Sequence, residues 1–184
     1  MTEPGTREEI LKAATAVLNG NGFEHFTLDA VARQAGVSKG GLLYHFPTKE
    51  ALIEALAHYH TQRREAELAA RIADEPPSPG RAMRAYLALT PPEVGLEGLV
   101  MIARRPELGA VIEAHLQRVM AILRNDGLDP ALVAMLTLVV DGTLLSTVLG
   151  LPDPGREVKD QALALARRLT FPGALAADLG PPQR

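Results

Sequence analysis

Along most of the chain, apolar residues recur at the three- and four-residue intervals of a helix face. Ile10, Leu11, Ala14, Val17 and Leu18 fall at i, i+1, i+4, i+7 and i+8, which predicts one buried stripe on a first helix, with Gly20 and Gly22 stopping it. Thr27 is placed to cap a second helix, whose Leu28, Val31, Ala32 and Ala35 continue the pattern until Gly36. Ser38 caps a third short helix in which Leu42 and Phe46 share a face. Pro47 ends it, and Thr48 opens a long fourth helix from Lys49 to about Asp74.

The run of prolines in PPSPG, Pro76 to Gly80, excludes helix and marks a linker. Beyond it the spacing predicts helices at Arg81–Leu89, Glu93–Arg104, Glu107–Asn125, Pro130–Leu149 and Gly155–Thr170. No alternating strand pattern and no internal repeat appears. The reading is an all-α fold of about nine helices with domain limits at 1–47, 48–75 and 76–184.

Composition narrows the chemistry. The 184 residues contain no Cys, which removes disulfides, thiolate catalysis and Cys-ligated zinc, and points to a cytoplasmic home. Aromatics are only 4%, so the core must be aliphatic. The opening MTEPGTREE lacks the cationic and apolar blocks of a signal peptide, and no apolar run reaches membrane-spanning length, so neither secretion nor membrane insertion is expected. No phosphate loop, nucleophile elbow or HExxH appears, so no catalytic residue, cofactor or metal site is assigned. His58 and His60 lie two apart, on different helix faces, and make a poor metal pair.

The informative stretch is Thr27 to Phe46, TLDAVARQAGVSKGGLLYHF: a helix, a tight glycine turn and a second helix, with small Ala32 and Ala35 where two helices must cross closely. A helix starting at Ser38 points amide dipoles and the Lys39 cation outward. Tyr44 and His45 lie away from Leu42 and Phe46, where they can donate to phosphates or touch base edges; the bland alternative makes Tyr44 a core-edge aromatic. Lys49 would reach another phosphate. With ILKAATAVLNGNGFEHF before it and FPTKEALIEAL after it, the segment resembles the DNA-binding domain of the TetR family of bacterial transcriptional regulators, over roughly residues 7 to 60. The matching positions are Gly22-Phe23, Thr27, Val31-Ala32, Ala35-Gly36-Val37-Ser38, Leu42, Phe46 and Lys49.

The resemblance implies a three-helix DNA-binding domain, joined by the long fourth helix to a helical effector-binding and dimerisation domain. It places Thr27, His45 and Lys49 at phosphates, and Lys39, Gly40, Gly41, Leu43 and Tyr44 on the base-reading surface. Leu43 stands where the family often has Tyr, and Gly41 where it has a larger or hydroxylated residue. Gly40 and Gly41 let the helix backbone approach the bases, shifting weight toward DNA shape. Residues 1–64 carry seven basic and seven acidic side chains, so the domain has no strongly basic footprint.

Downstream the resemblance is one of layout. Helix Pro130–Leu149 is apolar nearly all round and should be buried on two sides, while Val158, Ala162, Leu165, Ala166 and Leu169 form one stripe on the last helix. The resemblance puts a four-helix homodimer interface on these two helices, with Val140, Leu144, Leu145, Val148, Leu165 and Leu169 as its members. Met83, Tyr86, Leu87, Met101, His115 and Met120 are candidates to line a cavity for a small, mainly apolar effector, the alternative being ordinary core. Asp141 needs a partner on its apolar helix: an effector, a structural hydrogen bond, or solvent at the interface edge. The leading expectation is a ligand-responsive repressor that binds palindromic operator DNA as a homodimer in a bacterial cytoplasm, on the nucleoid when bound. The alternative is a ligand-binding or interaction protein of the same fold that has lost DNA binding.

Overall fold

The computed structural model describes residues 4–89, 106–149, 151–152 and 154–174. All eight elements among them are helices: α1 Pro4–Asn21, α2 Leu28–Ala35, α3 Lys39–His45, α4 Lys49–Asp74, α5 Arg81–Leu87, α6 Pro106–Arg124, α7 Pro130–Leu149 and α8 Arg156–Leu169. The helix expected at Glu93–Arg104 lies outside the described residues. Most boundaries fall within one residue of expectation, and two call for comment. The first helix runs through Gly20, which costs only about 1 kcal/mol within a helix, and α5 ends at Leu87 rather than Leu89.

The chain forms two compact units. In the first, described over 4–64 and 106–116, an aliphatic core gathers Ile10, Leu11, Ala14 and Val17 of α1, Val31 and Ala32 of α2, Leu42 and Phe46, and Leu52, Ile53 and Leu56 of α4. Buried Thr15 donates to the Leu11 carbonyl and meets His60 Nε2 at 2.9 Å, tying α1 to α4 through a satisfied polar pair.

The second unit is described over 65–89 and 117–174. Its core joins Leu68, Met83, Val119, Leu123, Val133, Leu136 and Ala166. Two polar devices organise it. Helix α5 starts after Gly80, which has no side chain to cap it, and the carboxylate of Asp126 accepts from the Ala82 and Met83 amides at 3.0 and 2.9 Å. Arg84 is almost wholly buried; its guanidinium reaches Glu75 and the Ser78 hydroxyl at 2.8 Å, the Pro79 carbonyl at 3.1 Å and the Thr170 carbonyl at 3.3 Å, and lies over the Phe171 ring. Gly80, at φ +81°, abuts the Thr170 carbonyl, and an added Cβ would collide with it.

The stripe expected on the last helix splits in two. Ala166 and Thr170 are buried, with Leu163 and Leu169 half-buried, while Val158, Ala162 and Leu165 face outward. Helix α7 also has two apolar sides: Leu132, Val133 and Leu136 enter the core, whereas Met135 and Leu138 are exposed, Leu138 by 70%.

Candidate nucleic-acid interface

The α2-turn-α3 segment is held by three local caps. Thr27 Oγ1 accepts from the Ala30 amide at 3.1 Å, Ser38 Oγ from Gly41 at 3.0 Å, and Thr48 Oγ1 from Ala51 at 3.1 Å. Each cap uses a lone pair of its hydroxyl and leaves the O–H proton to donate outward, as a phosphate contact requires. Gly36 makes the turn at φ +68°, the left-handed region that a β-carbon penalises, and its backbone N–H bonds the end of α2.

Helix α3 has only seven residues, two of them glycine, so propensity alone would not form it. Leu42 and Phe46, both buried, anchor it to the first core, with Leu43 half-buried beside them. That anchoring turns the opposite side outward. Tyr44 is 74% exposed, its ring edge-on to half-buried His45 at 5.3 Å, and Lys39 and Gly40 are exposed nearby. An exposed phenol on a short, firmly seated helix can donate to a phosphate or lie against a base.

Three cations surround this surface, and each has a partner that sequence spacing did not reveal. Lys49 Nζ sits 4.6 Å from the Phe23 ring centroid and 5.6 Å from that of Phe26, two rings stacked 6.1 Å apart. Arg7 lies 5.1 Å over Phe46. Lys39, expected to face the groove, is bridged to both carboxylate oxygens of Asp29, at 3.0 and 3.1 Å. Ten residues separate this pair, a spacing that no helical rule connects.

Of the effector candidates, Met83 is fully buried in the second core; Tyr86, Leu87 and Met120 are half-buried against it; His115 belongs to the first unit; Met101 lies outside the described residues. An open groove of about 770 Å³ in the second unit is lined by Ile72, Pro77, Ala82, Ile122, Asn125 and Asp126 among others, and by none of those candidates. Asp141 is on the solvent side of α7, and partial desolvation among apolar neighbours holds its carboxyl above the ordinary carboxylate range. Among the interface candidates, Leu165 is exposed, Val140 is half-buried and Leu169 packs partly against the second core. The side chains of Leu144, Leu145 and Val148 lie outside the described ones. Among the described residues no group of His, Asp and Glu is arranged to hold a metal, and no helix is long and apolar enough to cross a membrane.

A capped helix-turn-helix on a small aliphatic core, followed by a second helical unit, defines the class as an all-α regulator-type fold. Two family models match it, that of the bacterial regulatory proteins of the tetR family over residues 10–56 and that of the tetracyclin repressor-like C-terminal domain over residues 80–171. The chain belongs to the TetR family. Among curated relatives, the HTH-type transcriptional regulator UidR of Escherichia coli is 41% identical over 51 residues, 28% of this chain and 26% of UidR. The A-factor receptor protein of Streptomyces griseus is 36% identical over 62 residues, 34% of this chain and 22% of the receptor. The match to these relatives thus spans about a quarter of their length. Solved structures match far more of the chain. The multidrug binding protein EbrR complexed with malachite green is 25% identical, with a TM-score of 0.64, covering 91% of this chain and 99% of EbrR. A transcriptional regulator from Rhodococcus sp. Rha1, 22% identical at a TM-score of 0.66, covers 91% of this chain and 96% of that one, and shares the fold.

Proposed function

We propose that this protein is a ligand-responsive transcriptional regulator, most simply a repressor, which binds a palindromic operator as a homodimer. The observation that carries the reading is the outward side of α3: buried Leu42 and Phe46 fix the helix, and Tyr44, Lys39 and Gly40 stand in solvent beside three hydroxyl caps and the Lys49 cation. Thr27, His45 and Lys49 take phosphates, Ser38 caps the recognition helix, and Gly40, Gly41, Leu43 and Tyr44 meet base edges or groove walls. The exposed apolar side of α7 and α8, with Met135, Leu138, Val158 and Leu165, supports a two-fold interface that pairs two such helices on successive major grooves. The effector is a small, mainly apolar molecule, a reading supported by the aliphatic second core around Tyr86, Leu87 and Met120. It acts by favouring a spacing of the two recognition helices that no longer fits DNA, so a hundredfold loss of affinity needs about 2.7 kcal/mol of coupling.

The test is titration of the full chain onto the DNA flanking its own gene at several salt concentrations. Lys49→Ala should weaken binding evenly across sequences and lower the salt slope by about one unit, and Tyr44→Ala should also reduce affinity. If both variants bind like the wild type with unchanged salt dependence, the DNA-facing assignment of α3 is wrong. Calorimetric titration of candidate effectors with and without that DNA must return reciprocal weakening if the ligand is the switch.

A further inference from the structure

The three cations near α3 have different kinds of partner. Lys49 and Arg7 lie over aromatic rings, which attract a cation without cancelling its charge. Lys39 alone of the three is bridged to a carboxylate in the described structure, and its two contacts with Asp29 are of nearly equal length. Both side chains of the pair are 60% exposed, so the pair stands in solvent on the recognition surface and opens at little cost.

We propose that Asp29 competes with DNA phosphate for Lys39 and so holds down the sequence-independent part of DNA binding, an inference that rests on the DNA-binding reading above. When a duplex approaches, Lys39 either leaves Asp29, stranding a carboxylate beside the DNA, or stays and presents a neutral pair to the phosphates. Each course weakens the electrostatic attraction that supplies nearly all non-specific affinity. The domain is sensitive to one charge because residues 1–64 balance seven bases with seven acids. Base-edge and shape contacts made through Tyr44 and the α3 backbone do not pass through this exchange, so the effect of Asp29 is read most directly on DNA of random sequence. Asp29 is also the acidic residue in the first turn of α2, where it favours the helix dipole. A purely structural role would therefore lower stability and leave DNA affinity alone.

The experiment uses full-length wild type, Asp29→Asn, Asp29→Glu, Lys39→Gln and the Asp29→Asn/Lys39→Gln double variant. Each is titrated by fluorescence anisotropy onto a random-sequence duplex long enough for two half-sites, over a range of KCl concentrations, with a thermal melt alongside. Asp29→Asn should bind this DNA about three- to tenfold more tightly at low salt, with a salt slope steeper by up to about 0.9 per half-site. Asp29→Glu should stay near wild type, and most of the gain should vanish in the Lys39→Gln background. Unchanged affinity and slope in Asp29→Asn, with or without a lower melting temperature, overturns the proposal, as does a gain that survives intact without Lys39. Absence of any binding by wild type and Asp29→Asn at the lowest salt overturns instead the DNA-binding reading on which it stands.

Discussion

Truncating Arg84 to Ala is expected to destabilise the second unit by about 3–6 kcal/mol. The side chain is only 3% exposed, and each of its contacts joins a different piece of chain: Glu75 after α4, Ser78 and Pro79 in the linker, Thr170 at the end of α8. Three losses add. The fully buried Thr170 carbonyl loses a donor, at about 1–3 kcal/mol for a buried unpaired group. The Glu75 carboxylate loses its nearer cation and keeps Arg167 at 3.8 Å; breaking a fully buried pair costs about 3–5 kcal/mol, but Glu75 is 28% exposed and rehydrates, so about 1–2 remains. Removal of the stem and of the contact with Phe171, 4.5 Å from the guanidinium, adds about 1 kcal/mol. At about 2–4 °C per kcal/mol for a chain of this size, the transition should fall by about 10 °C. Differential scanning calorimetry with far-ultraviolet circular dichroism reads this directly. Arg84→Lys is the sharper control, because a compact ammonium cannot span partners that a planar fork reaches on several sides. Stability within about 0.5 kcal/mol of wild type in Arg84→Ala, the range of an ordinary surface change, would refute the reasoning.

Gly80→Ala should cost at least about 2 kcal/mol, since the substitution meets both a left-handed backbone and the Thr170 carbonyl; a urea melt that moves less contradicts the close approach. Leu138→Arg should leave the fold intact but convert a dimer to monomer and reduce DNA affinity with it, as light scattering would report. Asp141→Asn bears on pH. Because folding raises this carboxyl's pKa, the fold favours its neutral form; the contribution to stability is present below the unfolded pKa and is lost as pH rises through the folded one. The Asn variant should therefore melt slightly higher than wild type at neutral pH and match it in acid, and the opposite order would remove the desolvation argument.

The parts of the fold legible in the sequence are those determined within a few residues. Thr27, Ser38 and Thr48 sit three residues before the amides they cap, Gly36 terminates α2 where a left-handed residue is needed, and α4 runs over the expected Lys49–Asp74. Leu42 and Phe46, one turn apart, identified the seated side of α3 and hence the exposed position of Tyr44. What escaped depends on distant partners. No local spacing brings Glu75, Thr170 and Phe171 around Arg84, and none sets Asp29 of α2 beside Lys39. On α8 the expected stripe divides: Val158, Ala162 and Leu165 form an apolar row as regular as the buried one, and only the packed core tells them apart.

The cap that Asp126 supplies to α5 has a consequence for the order in which the chain acquires structure. A seven-residue helix is far too short to persist alone in water, and this one begins at a residue with no side chain to close its first turn. Its second and third amides find their acceptor 44 and 43 residues along the chain, just past the end of α6. The entropy of closing that loop is lost before any helical bond of α5 repays it. Helix α5 is thus a late arrival, conditional on α6 having formed and docked, and native-state hydrogen exchange at the Ala82 and Met83 amides reports the opening of the seam with α6 rather than the fraying of α5 itself.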